Sequence, residues 1–162
     1  MTLSYSLRPA TSSDADEVAE LVDRAYRHYV ERIGMLPGPM TEDYAEVIRT
    51  RQVTVAESGG TIVAVLVLGV TDEGFVIENV AVDPSRRGTG LGRTLLERAE
   101  AEGRRAGFES IYLYTHEGLT ENVALYSRIG YVEYDRRSRG DFSLVYMRKQ
   151  LEGPGRRGPT AG

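Results

Sequence analysis

Apolar residues recur along this chain with two periods, three to four in some stretches and two in others, and the switch points outline its elements. Ser4 to Ala10 reads as a first strand. Val18, Leu21, Val22, Ala25 and Tyr29 then share one helical face, following Thr11-Ser12-Ser13-Asp14, where Ser13 with Asp16 fits a helix-capping pattern. The prolines and glycines of RIGMLPGPM, Arg32 to Met40, force a loop, and a short second helix is predicted over about Thr41 to Arg49. Gln52 to Glu57 and Thr61 to Val70 read as a hairpin turned by Ser58-Gly59-Gly60, with a further strand over Phe75 to Val82. Leu91, Leu95 and Ala99 mark a long helix ending near Gly107. Ser110 to Thr115 is a strand, and Thr120 to Ile129 a short helix stopped by Gly130. Tyr131 to Arg137 and Phe142 to Lys149 close the chain, turned by Ser138-Arg139-Gly140-Asp141. The order β-α-α-β-β-β-α-β-α-β-β predicts a mixed α/β sheet with helices on its faces.

A length of 162 residues suits one domain, expected over residues 1–151. The Gly/Pro-rich segment 152–162 lacks periodicity and is expected to be disordered. The longest apolar run, Ile62 to Leu68, suits a buried strand and is far too short for a membrane span, so no membrane partner is expected. MTLSYSLRPATSSDAD has no basic region followed by an apolar one, so it does not read as a secretory signal. The absence of cysteine excludes a disulfide framework, a thiol nucleophile and a thiolate metal site. Together these predict a cytoplasmic location. Twenty-four acidic against twenty basic residues leave a net charge of −4, the wrong balance for a general nucleic-acid binder.

Against that balance, arginines gather in VAVDPSRRGTGLGRTLL, Val80 to Leu96. An apolar strand there runs into a proline, then an Arg/Gly-rich turn, then an amphipathic helix. The first turn of a helix leaves backbone N–H groups without intrahelical partners and carries partial positive charge. Glycines let such a backbone approach an anion closely, and Arg86, Arg87 and Arg93 add mobile charge. The turn suits a phosphate or pyrophosphate, with a flexible surface loop as the plain alternative. It is neither a GxxxxGK[ST] loop nor a GxGxxG dinucleotide turn followed by a ribose-binding acid.

The spacing Arg87-x-x-Gly90-x-Gly92 resembles the pyrophosphate-binding motif of the GNAT acetyltransferase superfamily, and VAVDP is similar to that family's fourth strand. ENVALYSRIGYVE, Glu121 to Glu133, resembles its other signature: Asn122 opens a short helix, Leu125-Tyr126 lies within it, and Gly130-Tyr131 ends it. Asn122 stands closer to Tyr126 than in the commoner form of that motif. The resemblance covers about Ser4 to Leu151. It implies a GNAT-like, mostly antiparallel, splayed central sheet flanked by helices, with acetyl-CoA as the cofactor. Carried over residue by residue, it implies that the backbone of Val80, Ala81 and Val82 holds the pantetheine and thioester oxygen. The backbone of Arg87, Gly88, Thr89, Gly90, Leu91, Gly92 and Arg93 would then hold the pyrophosphate, with Asn122 and Tyr126 also at the cofactor. Tyr126 is the candidate general acid for the departing thiolate, a phenol being protonated at neutral pH. Its other reading is a core tyrosine packed under the helix.

Glu78 and Asn79 interrupt an otherwise apolar strand. Glu78 shares a face with Val76, Val80 and Val82, and a carboxylate there is costly unless paired or functional. It is either a base for the acceptor ammonium or a carboxylate paired with a nearby arginine or lying at a wet cleft edge. In GNAT folds the loop between the first two helices, here Tyr29 to Tyr44, and the loop between the last two strands, here Arg137 to Asp141, shape the acceptor site. Tyr29, Arg32, Met35, Met40, Asn79 and His116 are the candidate acceptor contacts, apolar walls with a few polar groups suiting a small amphiphilic amine. A proline-braced loop packed on the sheet is the other reading of the first loop. His28 and His116 have no second ligand at metal spacing, so no metal is expected. The expected activity is acetyl transfer to a primary amine by direct attack in a ternary complex. A noncatalytic acyl-CoA-binding module and a protein acetyltransferase are the alternatives, and the closing strands offer an edge for a homodimer.

Overall fold

The computed structural model describes residues 4–140 and 142–152; the expected disordered tail lies outside the described residues from 153 onward, as does Asp141 of the last turn. The elements are β1 (Ser6–Pro9), α1 (Ala15–Ile33), α2 (Tyr44–Thr50), β2 (Gln52–Ser58), β3 (Thr61–Thr71), β4 (Gly74–Val82), α3 (Leu91–Arg105), β5 (Ser110–His116), α4 (Thr120–Arg128), β6 (Val132–Arg139) and β7 (Phe142–Gln150). They build one seven-stranded open sheet in the order β1-β2-β3-β4-β5-β7-β6, flanked by the four helices. β4 against β5 is parallel, and β1–β2, β2–β3, β5–β7 and β6–β7 are antiparallel. That parallel ladder joins Phe75–Ile77 to Ile111–Leu113, whereas β4 itself continues to Val82, leaving Glu78–Val82 outside it. The predicted mixed, mostly antiparallel α/β sheet flanked by helices is the one observed.

Local chemistry moves some boundaries. The first helical cap is Thr11 with Asp14, two residues before the predicted Ser13–Asp16 pair, and a 3₁₀ turn over Ser12–Asp14 leads into α1. Arg8 decides this, because its guanidinium donates to both Asp14 oxygens at 2.8 and 3.1 Å, fixing that carboxylate beneath the Thr11 amide. α1 ends at Gly34, whose φ of 76° a side chain would disfavour. α2 starts later than predicted, since Asp43 accepts from the Ala45 and Glu46 amides while Gly38–Thr41 forms a separate 3₁₀ turn.

The described chain forms two compact units. Residues up to Gly69 with Glu78–Leu96 make the first, and Val70–Ile77 with the residues from Glu97 onward make the second. In the first, Val18, Leu21, Val22 and Ala25 of α1 join Tyr44 and Val47 of α2, packed with Val53, Val55, Ile62, Val65, Val67 and Ala81 of the strands. Leu21 is fully buried, so its truncation to alanine costs about 2–5 kcal/mol.

In the second unit a small cluster of Val76, Tyr112 and Tyr146, with Leu144 against it, lies on the sheet. Glu73, in the β3–β4 turn, ties this region together. Its carboxylate accepts two Arg137 N–H groups at 2.7 and 2.8 Å and the Tyr134 hydroxyl at 3.1 Å, and its carbonyl accepts from Arg148. The Arg137 guanidinium holds the Glu73 carboxyl below its ordinary range. Arg137 also lies 3.9 Å from the Tyr146 ring centroid. The first residue of the second predicted acceptor loop is therefore a strand residue engaged in a clamp.

Candidate active site

The Arg/Gly turn is built within the first unit. Asp83 caps the short turn Pro84–Arg86 by accepting from the Ser85 N–H and hydroxyl at 2.9 and 2.8 Å, and Arg24 of α1 holds its other oxygen at 2.8 Å. Burial works to raise the Asp83 carboxyl, but Ser85 and Arg24 together leave it below its ordinary value. Gly88 and Gly90 then take φ of 79° and 87°, the left-handed region, and beyond the adjacent residues no atom lies within 4 Å of where a Cβ would stand on either. The Gly90 carbonyl accepts from the Thr94 N–H at 3.0 Å, so Leu91, Gly92 and Arg93 form the first turn of α3, where a helix presents its N–H groups outward along the axis. A side chain on Gly92 would meet Val82 at 3.7 Å, so this glycine brings the head of α3 against the end of β4.

Arg87 departs from the expectation of mobile charge. Its Nη2 donates to the Ala25 carbonyl of α1 at 3.0 Å, fastening the turn to that helix. The candidate anion site is therefore the backbone of this turn, with Arg86 and Arg93 as the neighbouring cations.

Along β4 the burial alternates: Asn79 and Ala81 are buried, while Glu78, Val80 and Val82 are half-buried. The open face carries the glutamate. Both Glu78 oxygens accept from Arg51 Nε, at 3.0 and 2.8 Å, a pairing with a nearby arginine that was among the readings the sequence left open. Asn79, one of the candidate acceptor contacts, is a buried polar group. It is 7% exposed, its Oδ1 accepts from the Tyr26 hydroxyl at 2.5 Å, and its Nδ2 donates to the Tyr44 hydroxyl at 3.1 Å. Tyr44 in turn donates to the Pro39 carbonyl at 2.7 Å, and burial pushes its phenol well above the ordinary range. An amide buried in this position requires partners for both its ends, and the two tyrosines supply them.

The first acceptor loop is partly packed. Met40 lies against the core of the first unit, Tyr29 and Met35 are half-buried, and Arg32 is exposed with its guanidinium 5.8 Å from the Tyr29 ring.

The second unit carries the remaining candidates. Asn122, in the first turn of α4, donates weakly to Thr115 of β5 at 3.5 Å, and His116 Nδ1 accepts from the Gly118 N–H at 2.9 Å. Tyr126 is half-buried and meets Tyr131 edge-on at 5.8 Å between centroids. The fully buried tyrosine of this pair is Tyr131, 2% exposed, so Tyr126 is not the residue packed away in the core.

Sequence reasoning did not single out Arg51, Gly69, Tyr26 or Tyr44. Gly69 alone left a signal, as the one interruption in the apolar run of β3. No helix among the described residues is long and apolar enough to cross a membrane.

Relatives of this chain in sequence and in fold are acetyltransferases. An IAA acetyltransferase of Azospirillum brasilense is 35% identical over 81 residues, which span 49% of this chain and 53% of that protein. A mycothiol acetyltransferase of Thermobispora bispora is 42% identical over 55 residues, 34% of this chain and 19% of that protein. The chain thus spans about half the length of the first of these relatives and about a fifth of the second. In fold it matches the PaiA N-acetyltransferase of Thermoplasma acidophilum, solved with coenzyme A, at a TM-score of 0.72 and 18% identity, covering 92% of this chain and 100% of that one. The ribosomal-protein-S18-alanine N-acetyltransferase of Escherichia coli matches equally, at 0.72 and 18%, over 94% and 97%. The family model described as Acetyltransferase (GNAT) family fits residues 15–131, well over half of the sequence, and the chain accordingly belongs to the GNAT acetyltransferases.

Proposed function

We propose that this chain is an N-acetyltransferase that moves the acetyl group of acetyl-CoA onto a primary amine of a small molecule by direct attack. The observation that carries this reading is the turn before α3, where Gly88 and Gly90 take left-handed φ immediately ahead of the N-terminus of a fifteen-residue helix. When bound, acetyl-CoA supplies an activated acetyl thioester. Leu91, Gly92 and Arg93 amides hold its diphosphate, and the β4 backbone at Val80 to Val82, outside the parallel ladder, orients its acyl end. A fixed N–H aimed at the carbonyl oxygen stabilises negative charge as it develops there, without reorganisation.

The reaction forms an N–C bond and breaks the C–S bond. Glu78, directly or through water, takes the first proton from the acceptor ammonium; Tyr126 donates a proton to the departing sulfur, and the second proton lost by the nitrogen as the amide forms restores the phenol. A thiolate needs little help to leave, so Tyr126→Phe should lower kcat by about tenfold to a hundredfold without abolishing turnover. The curated relatives named for IAA and mycothiol support a small-molecule acceptor, whereas one structural neighbour is named for a ribosomal protein. We further propose a cytoplasmic setting and self-association along the sheet-edge strand β6.

The test pairs calorimetry of acetyl-CoA with release of free thiol over a panel of amines and peptides. Thiol release with a small amine supports the reading, and release with peptides alone shifts it to a protein acetyltransferase. Tight coenzyme binding without release points to a noncatalytic module. Absence of affinity for the coenzyme refutes it outright.

A further inference from the structure

The pairing of Glu78 with Arg51 crosses a strand. Arg51 stands at the junction of α2 and β2, Glu78 lies on β4, and β3 runs between those strands in the sheet. Two side chains on the outer strands of three meet only if the middle strand leaves a gap. Gly69 of β3 leaves it, one step beyond the Gln52–Leu68 pair of the β2–β3 ladder. A Cβ on Gly69 would stand 2.5 Å from Glu78 Oε2, 3.3 Å from its Cδ and 3.4 Å from Arg51 Cδ. Gly69 has no positive φ and forms no turn, so the close approach is the reason for a glycine within this strand.

The arrangement is built for orientation more than for stability. The Arg51 side chain is 40% exposed, and an ion pair so open to water contributes little to folding. A glycine inside a strand weakens it. What the three residues achieve is a carboxylate in one defined position. A single Arg51 N–H is shared by both oxygens, and Thr50 Oγ1 accepts from the Nη1 end of the same guanidinium at 2.9 Å. Each carboxylate oxygen retains lone-pair capacity beyond that shared bond, and the Glu78 side chain, 23% exposed, is within reach of solvent or an incoming ammonium.

We propose that Arg51 and Gly69 are positioning residues for Glu78: Gly69 opens the gap in β3, and Arg51 reaches through it to aim the carboxylate at the acceptor nitrogen. This rests on the reading of Glu78 as the proton acceptor. Neither residue touches the reacting atoms, so both act through Glu78.

A double-mutant cycle on the full chain separates these claims. Glu78→Gln, Arg51→Met, Arg51→Lys, Gly69→Ala and the Arg51→Met/Glu78→Gln pair are compared for kcat, for the KM of each substrate and for folding by circular dichroism. Misplacing a proton acceptor by about 1 Å costs up to a hundredfold, so Arg51→Met and Gly69→Ala should each lower kcat by about ten- to a hundredfold with an unchanged acetyl-CoA KM. Arg51→Lys should recover part of that loss. In the Glu78→Gln background Arg51→Met should cost nothing further, because its effect runs through the lost carboxylate. A folded Arg51→Met or Gly69→Ala protein with wild-type kcat overturns the proposal, as does an Arg51→Met cost that persists undiminished in Glu78→Gln. Should Arg51→Met fail to fold, Arg51→Lys and Gly69→Ala carry the same comparison. Wild-type turnover in Glu78→Gln instead overturns the reading of Glu78, a result distinct from either.

Discussion

Replacing Asn79 by leucine tests whether this residue is a core hub or a contact for the acceptor. Leucine is close in size and needs no polar partner. The substitution removes two hydrogen bonds, a part-buried one from Tyr26 at 2.5 Å and a buried one to Tyr44 at 3.1 Å. Each such bond is worth about 1 kcal/mol net. Tyr44 keeps the Pro39 carbonyl at 2.7 Å, so its hydroxyl stays satisfied. Tyr26 loses its short bond to Asn79 Oδ1 and keeps the Val80 carbonyl at a longer 3.4 Å. Burying leucine in place of an amide offsets part of the loss, leaving a destabilisation of about 1–2 kcal/mol. For a chain of this size that lowers Tm by about 5 °C. Differential scanning calorimetry on Asn79→Leu, Tyr26→Phe and the pair provides the assay. The single variants should not add, because both remove the same bond. An Asn79→Leu protein that melts within about 1 °C of the wild type, with a raised acceptor KM, would refute the hub and restore the acceptor contact.

Three other outcomes are expected. The Arg8 guanidinium, with help from the Thr11 amide, holds the Asp14 carboxyl down to about 2 from an ordinary 3.8. Because the folded value is depressed, the stabilisation is fully present above pH 4 and is lost as pH falls through about 2. It amounts to about 2 kcal/mol, and urea unfolding should show the gap between wild type and Asp14→Asn closing over that window; an equal gap at pH 6 and pH 2.5 would contradict this. Gly90→Ala should cost about 1 kcal/mol of stability from its left-handed φ, with no clash, and weaken coenzyme binding by calorimetry. Arg87→Met, which removes the bond to Ala25, should weaken coenzyme affinity while sparing kcat at saturation, as measured by steady-state kinetics.

Much of the architecture was legible because it is written in local signals. The β2–β3 hairpin follows from Ser58-Gly59-Gly60, with Gly59 and Gly60 at φ of 59° and 82°. The buried stripe of α1 follows from the spacing of Val18, Leu21, Val22 and Ala25, and the glycine turn before α3 from residues adjacent in the chain. The misread positions were those where a distant residue intervened. Arg8 drew the first cap back to Thr11 and Asp14, and Glu73 drew Arg137 into a clamp.

Glu78 and Asn79 show the division most clearly. Two polar residues in a row within an apolar strand announced something unusual from the primary structure, and the two-residue period of a strand sent them to opposite faces. Which of them met water and which the core could not be read there, because periodicity assigns alternation but not the neighbour that covers each face. That depended on α1 and α2 bringing Tyr26 and Tyr44 to Asn79, and on the strand order β2-β3-β4 bringing Arg51 through the gap at Gly69 to Glu78. Local propensity acts between neighbours in sequence, whereas partners separated by 27 to 53 positions meet only when the chain has folded.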